Sequence, residues 1–161
     1  MESFALLYTI GCCLISIIIA GKSASSKENK KWFENLNHPD NSLMIKYMNI
    51  YGFSFYLLFG YVLYHLFVSN DIVSIVLTVI IIQLMGLCPF LLYKTKKLKL
   101  FFFANLVFLI LLPVLIFLLL QTNLTLTIIV IVYLLWFVYD LSYWYRLMKL
   151  NRPKGHENIK T

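Results

Sequence analysis

The sequence predicts an all-α membrane protein, a bundle of five transmembrane helices, and three observations lead to this. First, 61% of the 161 residues are hydrophobic and only 13% are charged, whereas soluble domains are nearer half apolar and a quarter charged. Second, the apolar residues form five long blocks, each roughly the 20 residues that a helix needs to span a hydrocarbon core. Third, the basic residues occupy alternate connections between these blocks.

The five blocks define the predicted helices of a single domain, 1–161. We place the helices at about 4–20, 47–68, 72–93, 100–120 and 124–148. A long loop, 21–46, follows the first helix, and a basic tail, 149–161, follows the last. Helices are expected rather than strands because a helix satisfies its own backbone groups in lipid, and the alternating ten-residue segments of a membrane β-barrel are absent.

The connections carry turn and helix-end signals. Ser69-Asn70-Asp71 and Gln121-Thr122-Asn123 predict tight polar turns after the second and fourth helices. In the long loop, Pro39 is expected to end any short helix formed by Glu28 to Leu36. Long loops that contain aromatic residues are often functional, so this loop is a candidate part of a site.

The basic residues predict the orientation of the chain. All 14 Lys and Arg residues fall in three segments: five in the first loop, four between the third and fourth helices, and five at the C-terminal end. The positive-inside rule therefore predicts the N-terminus outside and the C-terminus inside. Because the basic residues flank apolar blocks and form no basic face, the net charge of +7 does not indicate a nucleic-acid partner.

Asp140 is the candidate functional residue, because an ionisable group inside a membrane span is a functional-site hypothesis by default. Tyr133, Trp136, Tyr143 and Trp144 follow at helical steps of three and four, so we expect them to share its face. Aromatic walls around one polar group are typical of a pocket for a flat amphipathic ligand. The alternative is structural: Asp140 is protonated, or accepts a tyrosine hydroxyl, and holds helices together.

Other patterns are less specific. Leu141, Tyr143 and Arg146 fit the degenerate pattern proposed for cholesterol contact. Gly52 and Gly60 lie two turns apart and predict close helix packing. No catalytic triad, phosphate loop, metal motif or dinucleotide fingerprint is present, so we predict no catalytic residues, no metal and no required cofactor.

Four segments together resemble the TspO family, the tryptophan-rich sensory proteins and translocator proteins that are also called peripheral benzodiazepine receptors. They are Trp32-Phe33-x-x-Leu36-x-x-Pro39, Phe55-Tyr56-x-x-Phe59-Gly60, Pro89-Phe90-Leu91-Leu92 and Tyr133-x-x-Trp136. Their order and spacing cover nearly the whole chain. The sequence departs from the family pattern at Gly52, where the family has tryptophan, and at Asp140, where it has a small alanine, so the chain resembles a divergent member.

The resemblance implies a five-helix bundle, often a homodimer, with a pocket that opens towards the first loop. The family binds porphyrins, haem and, in some members, sterols, and some bacterial members degrade porphyrin in light. Aromatic residues of the second and fifth transmembrane helices line the family's pocket, and the tryptophan of the first loop caps it. By position, the resemblance implies a ligand site formed by Trp32, Tyr51, Phe55, Trp136, Asp140 and Tyr143.

Three functional hypotheses follow. The leading one is a membrane protein that senses or transports a flat lipophile such as porphyrin, haem or a sterol. The second is a membrane enzyme that degrades porphyrin, with Trp32 or Trp136 as electron partner and Asp140 as proton donor. The third is a structural membrane partner without a small-molecule site. A bacterial plasma membrane is the expected location, with the mitochondrial outer membrane and the endoplasmic reticulum as alternatives.

Overall fold

The computed structural model describes residues 2–39 and 43–152, and side chains at 2–39 and 50–152. The described residues form seven helices and no strand. The helices are α1 (Glu2–Ala24), α2 (Lys27–Glu34), α3 (Leu43–Ser69), α4 (Ile72–Thr95), α5 (Leu98–Asn105), α6 (Phe108–Leu120) and α7 (Leu124–Leu150). The side chain of Lys46 and the tail residues 153–161, which contribute to the predicted charge pattern, lie outside the described residues.

Five stretches of these helices are long and apolar enough to cross a membrane. They are α1, residues Ile50–Ser69 of α3, α4, the combined stretch Leu98–Leu120 of α5 and α6, and α7. Many large apolar side chains on these stretches point outwards, as expected where lipid rather than water surrounds the protein. The predicted all-α membrane bundle is thus confirmed.

The three basic segments meet at one end of the bundle. Glu28 of α2 forms an ion pair with Lys96 after α4. The backbone N–H of Asn37 donates to the side-chain oxygen of Asn151 at 2.9 Å, and the Asn151 amide donates back to the Asn37 carbonyl at 3.0 Å. We call this contact the asparagine clasp. The charge pattern therefore segregates to one end, and that this end faces the cytoplasm remains a prediction.

The polar turns at the opposite end begin the helices that follow them. Asp71 accepts a hydrogen bond from the Ser74 N–H at 3.2 Å, and Asn123 accepts one from the Leu126 N–H at 3.1 Å. Both are N-caps, which satisfy backbone donors that a helix start leaves free. Asn70 adopts a left-handed φ of 55°, a conformation that asparagine tolerates better than most residues.

The fourth span is interrupted, where the sequence predicted one helix over 100–120. The Asn105 side chain donates to the Phe101 carbonyl at 2.8 Å, and such a local bond competes with the helical ladder. Bonds of the tighter i→i+3 type follow, from Leu106 N–H to the Phe103 carbonyl and from Leu109 N–H to the Leu106 carbonyl. Helix α6 then continues through Pro113.

Helix α1 packs most closely on α4 along a seam of small and polar residues. The Ser16 hydroxyl donates to the Ile82 carbonyl at 2.6 Å, and the Gln83 amide donates to the Cys12 carbonyl at 3.1 Å. At Gly86 a Cβ would lie 2.6 Å from the Ser16 carbonyl oxygen. The backbones therefore approach as closely as they do because residue 86 has no side chain.

Gly52 and Gly60 were both predicted to allow close helix packing, and only Gly60 does so. A Cβ at Gly60 would lie 3.4 Å from the Cys13 Sγ and 3.7 Å from a Thr9 carbon, so Gly60 does lie against α1. A Cβ at Gly52 would meet nothing within 4 Å, so the expectation of close packing is wrong there. Sequence spacing placed both glycines on one face but did not show which part of that face meets another helix.

Candidate functional site

A cavity of about 360 Å³ opens within the spanning bundle, between α1, α3, α4, α5 and α7. Its wall is mostly apolar and aromatic, with a few polar groups. The aromatic and polar residues on the wall are Tyr51, Phe53, Tyr56, Tyr93, Phe101, Asn105, Asp140 and Trp144. Glycines and apolar residues of α1, α3 and α4 complete it, among them Gly21, Gly52, Met85, Cys88 and Pro89. We call this space the bundle cavity.

Asp140 reaches the bundle cavity from α7. The residues of α7 that turn inwards follow helical steps of three and four, and they include Val130, Tyr133, Phe137, Asp140 and Trp144. Asp140 belongs to this inward series and is only 6% exposed. Its Oδ1 has no hydrogen-bond partner among the described residues. Buried polar groups are normally paired, so this oxygen is the unusual feature of the cavity.

Tyr51 lies beside Asp140 on the cavity wall and joins α3 to α7. Its hydroxyl donates to the Tyr133 hydroxyl at 2.8 Å, and the two rings stack with centroids 5.9 Å apart. Tyr133 is itself 3% exposed. The pair fixes the Tyr51 ring where it borders the cavity, so one wall is held by a hydrogen bond as well as by packing.

Trp144 forms the wall on the α5 side, although only its place on the aromatic face was predicted from the sequence. Its ring lies 4.4 Å from Phe101 in an edge-on contact and 6.1 Å from Phe33 of α2. It is 8% exposed and one turn beyond Asp140. The signal that could have identified it is this i+4 relation to the intramembrane acid.

Two other residues proposed for the site lie away from the cavity wall. Phe55 is 1% exposed and lies in the core of the bundle. Its ring centroid is 4.5 Å from that of Phe59 and 5.2 Å from that of Tyr133. Trp136 is 39% exposed and contacts Tyr51 from the outer side at 5.7 Å. Of the six predicted residues, the structure brings Tyr51 and Asp140 together on one cavity.

Tyr143 connects α7 to the first loop. The His38 Nε2 lies 2.9 Å from the Phe33 carbonyl, and a carbonyl only accepts, so Nε2 carries the proton. In the neutral ring Nδ1 is then an acceptor, and the Tyr143 hydroxyl donates to it at 3.0 Å. With the asparagine clasp one residue earlier in the loop, this bond fastens the loop to the last helix.

Removing the His38 imidazole should loosen the loop without unfolding the bundle. In His38→Ala both hydrogen bonds are lost, and each is worth about 0.5–1.5 kcal/mol. We expect amide hydrogen exchange at Leu36 and Asn37 to rise by roughly tenfold, measured by mass spectrometry on the detergent-purified protein. His65→Ala is the matched control, because His65 contacts only the Tyr61 and Tyr64 rings among the aromatic pairs of the described chain. Unchanged exchange in His38→Ala would show that the loop is held by other contacts.

Trp32 lines a second cavity, at the basic end of the bundle. This cavity measures about 630 Å³, and its wall includes Trp32, Leu36, Lys96, Lys97, Leu98, Lys99, Met148 and Arg152. The Trp32 ring also meets the edge of Tyr93, with ring centroids 6.2 Å apart, and Tyr93 borders the bundle cavity.

The ion pair between Glu28 and Lys96 lies at the same end of the bundle. The hydrogen bond and charge of Lys96 lower the pKa of Glu28. Both partners are exposed, so the pair adds little stability.

The residues of the sterol pattern do not share one exposed face. Leu141 is 8% and Tyr143 is 1% exposed, whereas Arg146 is exposed. Within the described residues, no group of three or more His, Cys, Asp or Glu side chains lies close enough to hold a metal ion.

Comparison with known proteins gives one match. The model of the TspO/MBR family matches residues 9–149, which include α2, the bundle cavity and all of the spans except the N-terminal part of α1 and the last residue of α7. Searches of curated proteins and of solved structures found no match. With a family match over most of its length and the five apolar spans described above, the chain belongs to the TspO/MBR family.

Proposed function

We propose that this protein binds a small, flat, mostly apolar molecule in the bundle cavity, as a membrane sensor or carrier of TspO type. The observation that supports this is an aromatic cavity of about 360 Å³ within the spans, with the buried carboxyl group of Asp140 on its wall. Ligand sites commonly measure 300–1,000 Å³ and combine apolar walls with a few polar groups. The cavity has both properties and lies at the small end of that range.

Porphyrin, haem and sterols are the first ligand classes to test, because the family resemblance implies them. The detergent-purified protein would be titrated with protoporphyrin IX, haem and cholesterol. Porphyrin and haem binding is read from Soret absorbance, and all three from quenching or shift of tryptophan fluorescence. We expect saturable binding of at least one class at a single site. If none of them, nor any flat aromatic probe, binds to a folded sample, the proposal is wrong.

A cavity-filling variant tests where the ligand lies. Residue 52 borders the cavity, and a Cβ there meets no atom within 4 Å, so Gly52→Phe should fold and occupy the space. We expect it to weaken binding by at least about tenfold, because a buried ligand cannot share the volume of a phenyl ring. Gly11→Phe is the control, since position 11 also has open space but lies off both cavities. Wild-type binding by Gly52→Phe would place the ligand elsewhere.

A further inference from the structure

We infer that the ligand of the bundle cavity carries a cationic, hydrogen-bond-donating nitrogen that pairs with Asp140. This inference rests on the proposed function and adds the chemical class of the ligand. Among the side chains that the structure describes on the cavity wall, Asp140 is the one formally charged group. Burying a carboxylate without an opposite charge is costly, and a cationic donor offsets that cost by a charge-assisted hydrogen bond.

The two tyrosines of α3 that line the cavity, Tyr51 and Tyr56, already donate their hydroxyl protons to other groups of the protein. Tyr51 donates to Tyr133. The single hydroxyl proton of Ser16 is used in the bond to the Ile82 carbonyl, so in its 3.1 Å contact with Tyr56 the serine can only accept. The Tyr56 hydroxyl is therefore the donor of that contact. Neither tyrosine has a proton left to give to Asp140 or to a ligand.

In the part of the chain that the structure describes, the cavity wall also contains hydrogen-bond acceptors that lack a donor. The Oδ1 of Asp140 has no partner among the described residues. Pro89 lies within α4 and has no N–H, so the carbonyl four residues earlier, at Met85, lacks its helical donor. Met85 and Pro89 both border the cavity. The donors that border the cavity include the Tyr93 hydroxyl, the second amide N–H of Asn105 and the Trp144 indole N–H, which faces Asp140. All of them are neutral and do not balance the charge of a carboxylate.

The aromatic walls suit the same ligand class. Tyr51, Phe53, Phe101 and Trp144 border the space around Asp140. A cation near the face of an aromatic ring is attracted by the ring quadrupole, most strongly in a desolvated site. An anionic group would instead meet the negative faces of these rings as well as the carboxyl group. The cavity therefore selects a flat aromatic amine over a neutral or acidic compound of equal size.

Three acridines separate charge from shape. Acridine is a neutral tricycle, 9-aminoacridine has the same ring system with a cationic amidine-like nitrogen pair, and acridine-9-carboxylate carries an anion. Binding of each to the full-length protein in a non-ionic detergent would be measured by probe fluorescence. We expect 9-aminoacridine to bind at least about tenfold more tightly than acridine, and acridine-9-carboxylate to bind most weakly.

The variants assign the difference to one carboxyl group. Asp140→Asn keeps the shape and should weaken 9-aminoacridine binding by at least about tenfold, while acridine binding changes less than about threefold. Glu2→Gln removes an exposed acid at the start of α1 and should change neither. If Asp140→Asn does not fold, the comparison of the three probes on the wild-type protein still decides the matter.

The other outcomes separate this inference from the proposed function. Equal binding of acridine and 9-aminoacridine, unchanged by Asp140→Asn, overturns the inference and leaves the proposed function standing. Binding of porphyrin without binding of any acridine also overturns the inference alone. Failure of every probe, porphyrin and sterol included, with a folded protein, overturns both.

Discussion

Replacing Gly86 with alanine should separate α1 from α4 and produce the largest stability loss of any glycine-to-alanine change among the described glycines. The new Cβ would lie 2.3 Å from the Ser16 Oγ, 2.6 Å from the Ser16 carbonyl oxygen and 3.0 Å from the Ser16 Cα. The last two are backbone atoms, so rotation of the serine side chain does not relieve the clash. Overpacking of this kind costs about 1–3 kcal/mol and sometimes more.

The measurement is the free energy of unfolding in detergent, with Gly11→Ala as the matched control. Position 11 is also helical, and a Cβ there meets nothing within 4 Å. Alanine is favoured over glycine in a helix by about 1 kcal/mol, so Gly11→Ala should be neutral or stabilising. If the two variants unfold alike, the α1–α4 seam is looser than the structure indicates.

Replacing Trp144 with alanine should lower stability and weaken ligand binding together. The indole packs against Phe101 at 4.4 Å and Tyr143 at 5.4 Å and is 8% exposed. Truncating a buried tryptophan costs about 3–5 kcal/mol through lost contacts and the cavity that remains. Because Trp144 also borders the bundle cavity, the ligand should lose part of its wall.

Trp136→Ala is the comparison that makes the result specific. Both tryptophans lie on α7, but Trp136 is 39% exposed and is absent from the cavity wall. We expect its removal to cost about 1 kcal/mol or less and to change binding only slightly through Tyr51. The two unfolding midpoints and the two acridine affinities would be measured side by side. A larger effect of Trp136→Ala on binding would restore the assignment that the family resemblance implied.

The sequence predicts the spans well because length and apolarity alone decide whether a segment suits the bilayer. The interruption of the fourth span shows what these two properties miss. Pro113 is the conspicuous helix breaker of that segment, yet α6 passes through it, and the break follows Asn105 instead. The side chain of a buried asparagine can bond to a carbonyl of its own helix and interrupt that helix. A single Asn inside an apolar run does not by itself predict such an interruption.

The sequence predicts a site residue well when the residue is chemically unusual for its surroundings. It predicts less well which of several aromatic side chains faces the interior of the bundle. Asp140 stands out in any apolar block. Trp136 and Trp144 both lie four residues from it, yet on a helix of 3.6 residues per turn they point about 80° apart. Which of them faces inwards depends on the position of α5, whose Phe101 contacts Trp144. The roles of His38 and Asn151 were not predicted, because their partners lie 105 and 114 residues away in sequence.

The α1–α4 seam has a consequence for how the protein is made. Ser16 and its partner Ile82 are separated by 66 residues, which a ribosome translates in roughly 3–13 seconds at 5–20 residues per second. During that interval α1 has been synthesised and the helix against which it packs has not. Until then Ser16 cannot form its hydrogen bond to the Ile82 carbonyl. Helix α1 is therefore synthesised before α4 and cannot pack against it until that helix has also been synthesised.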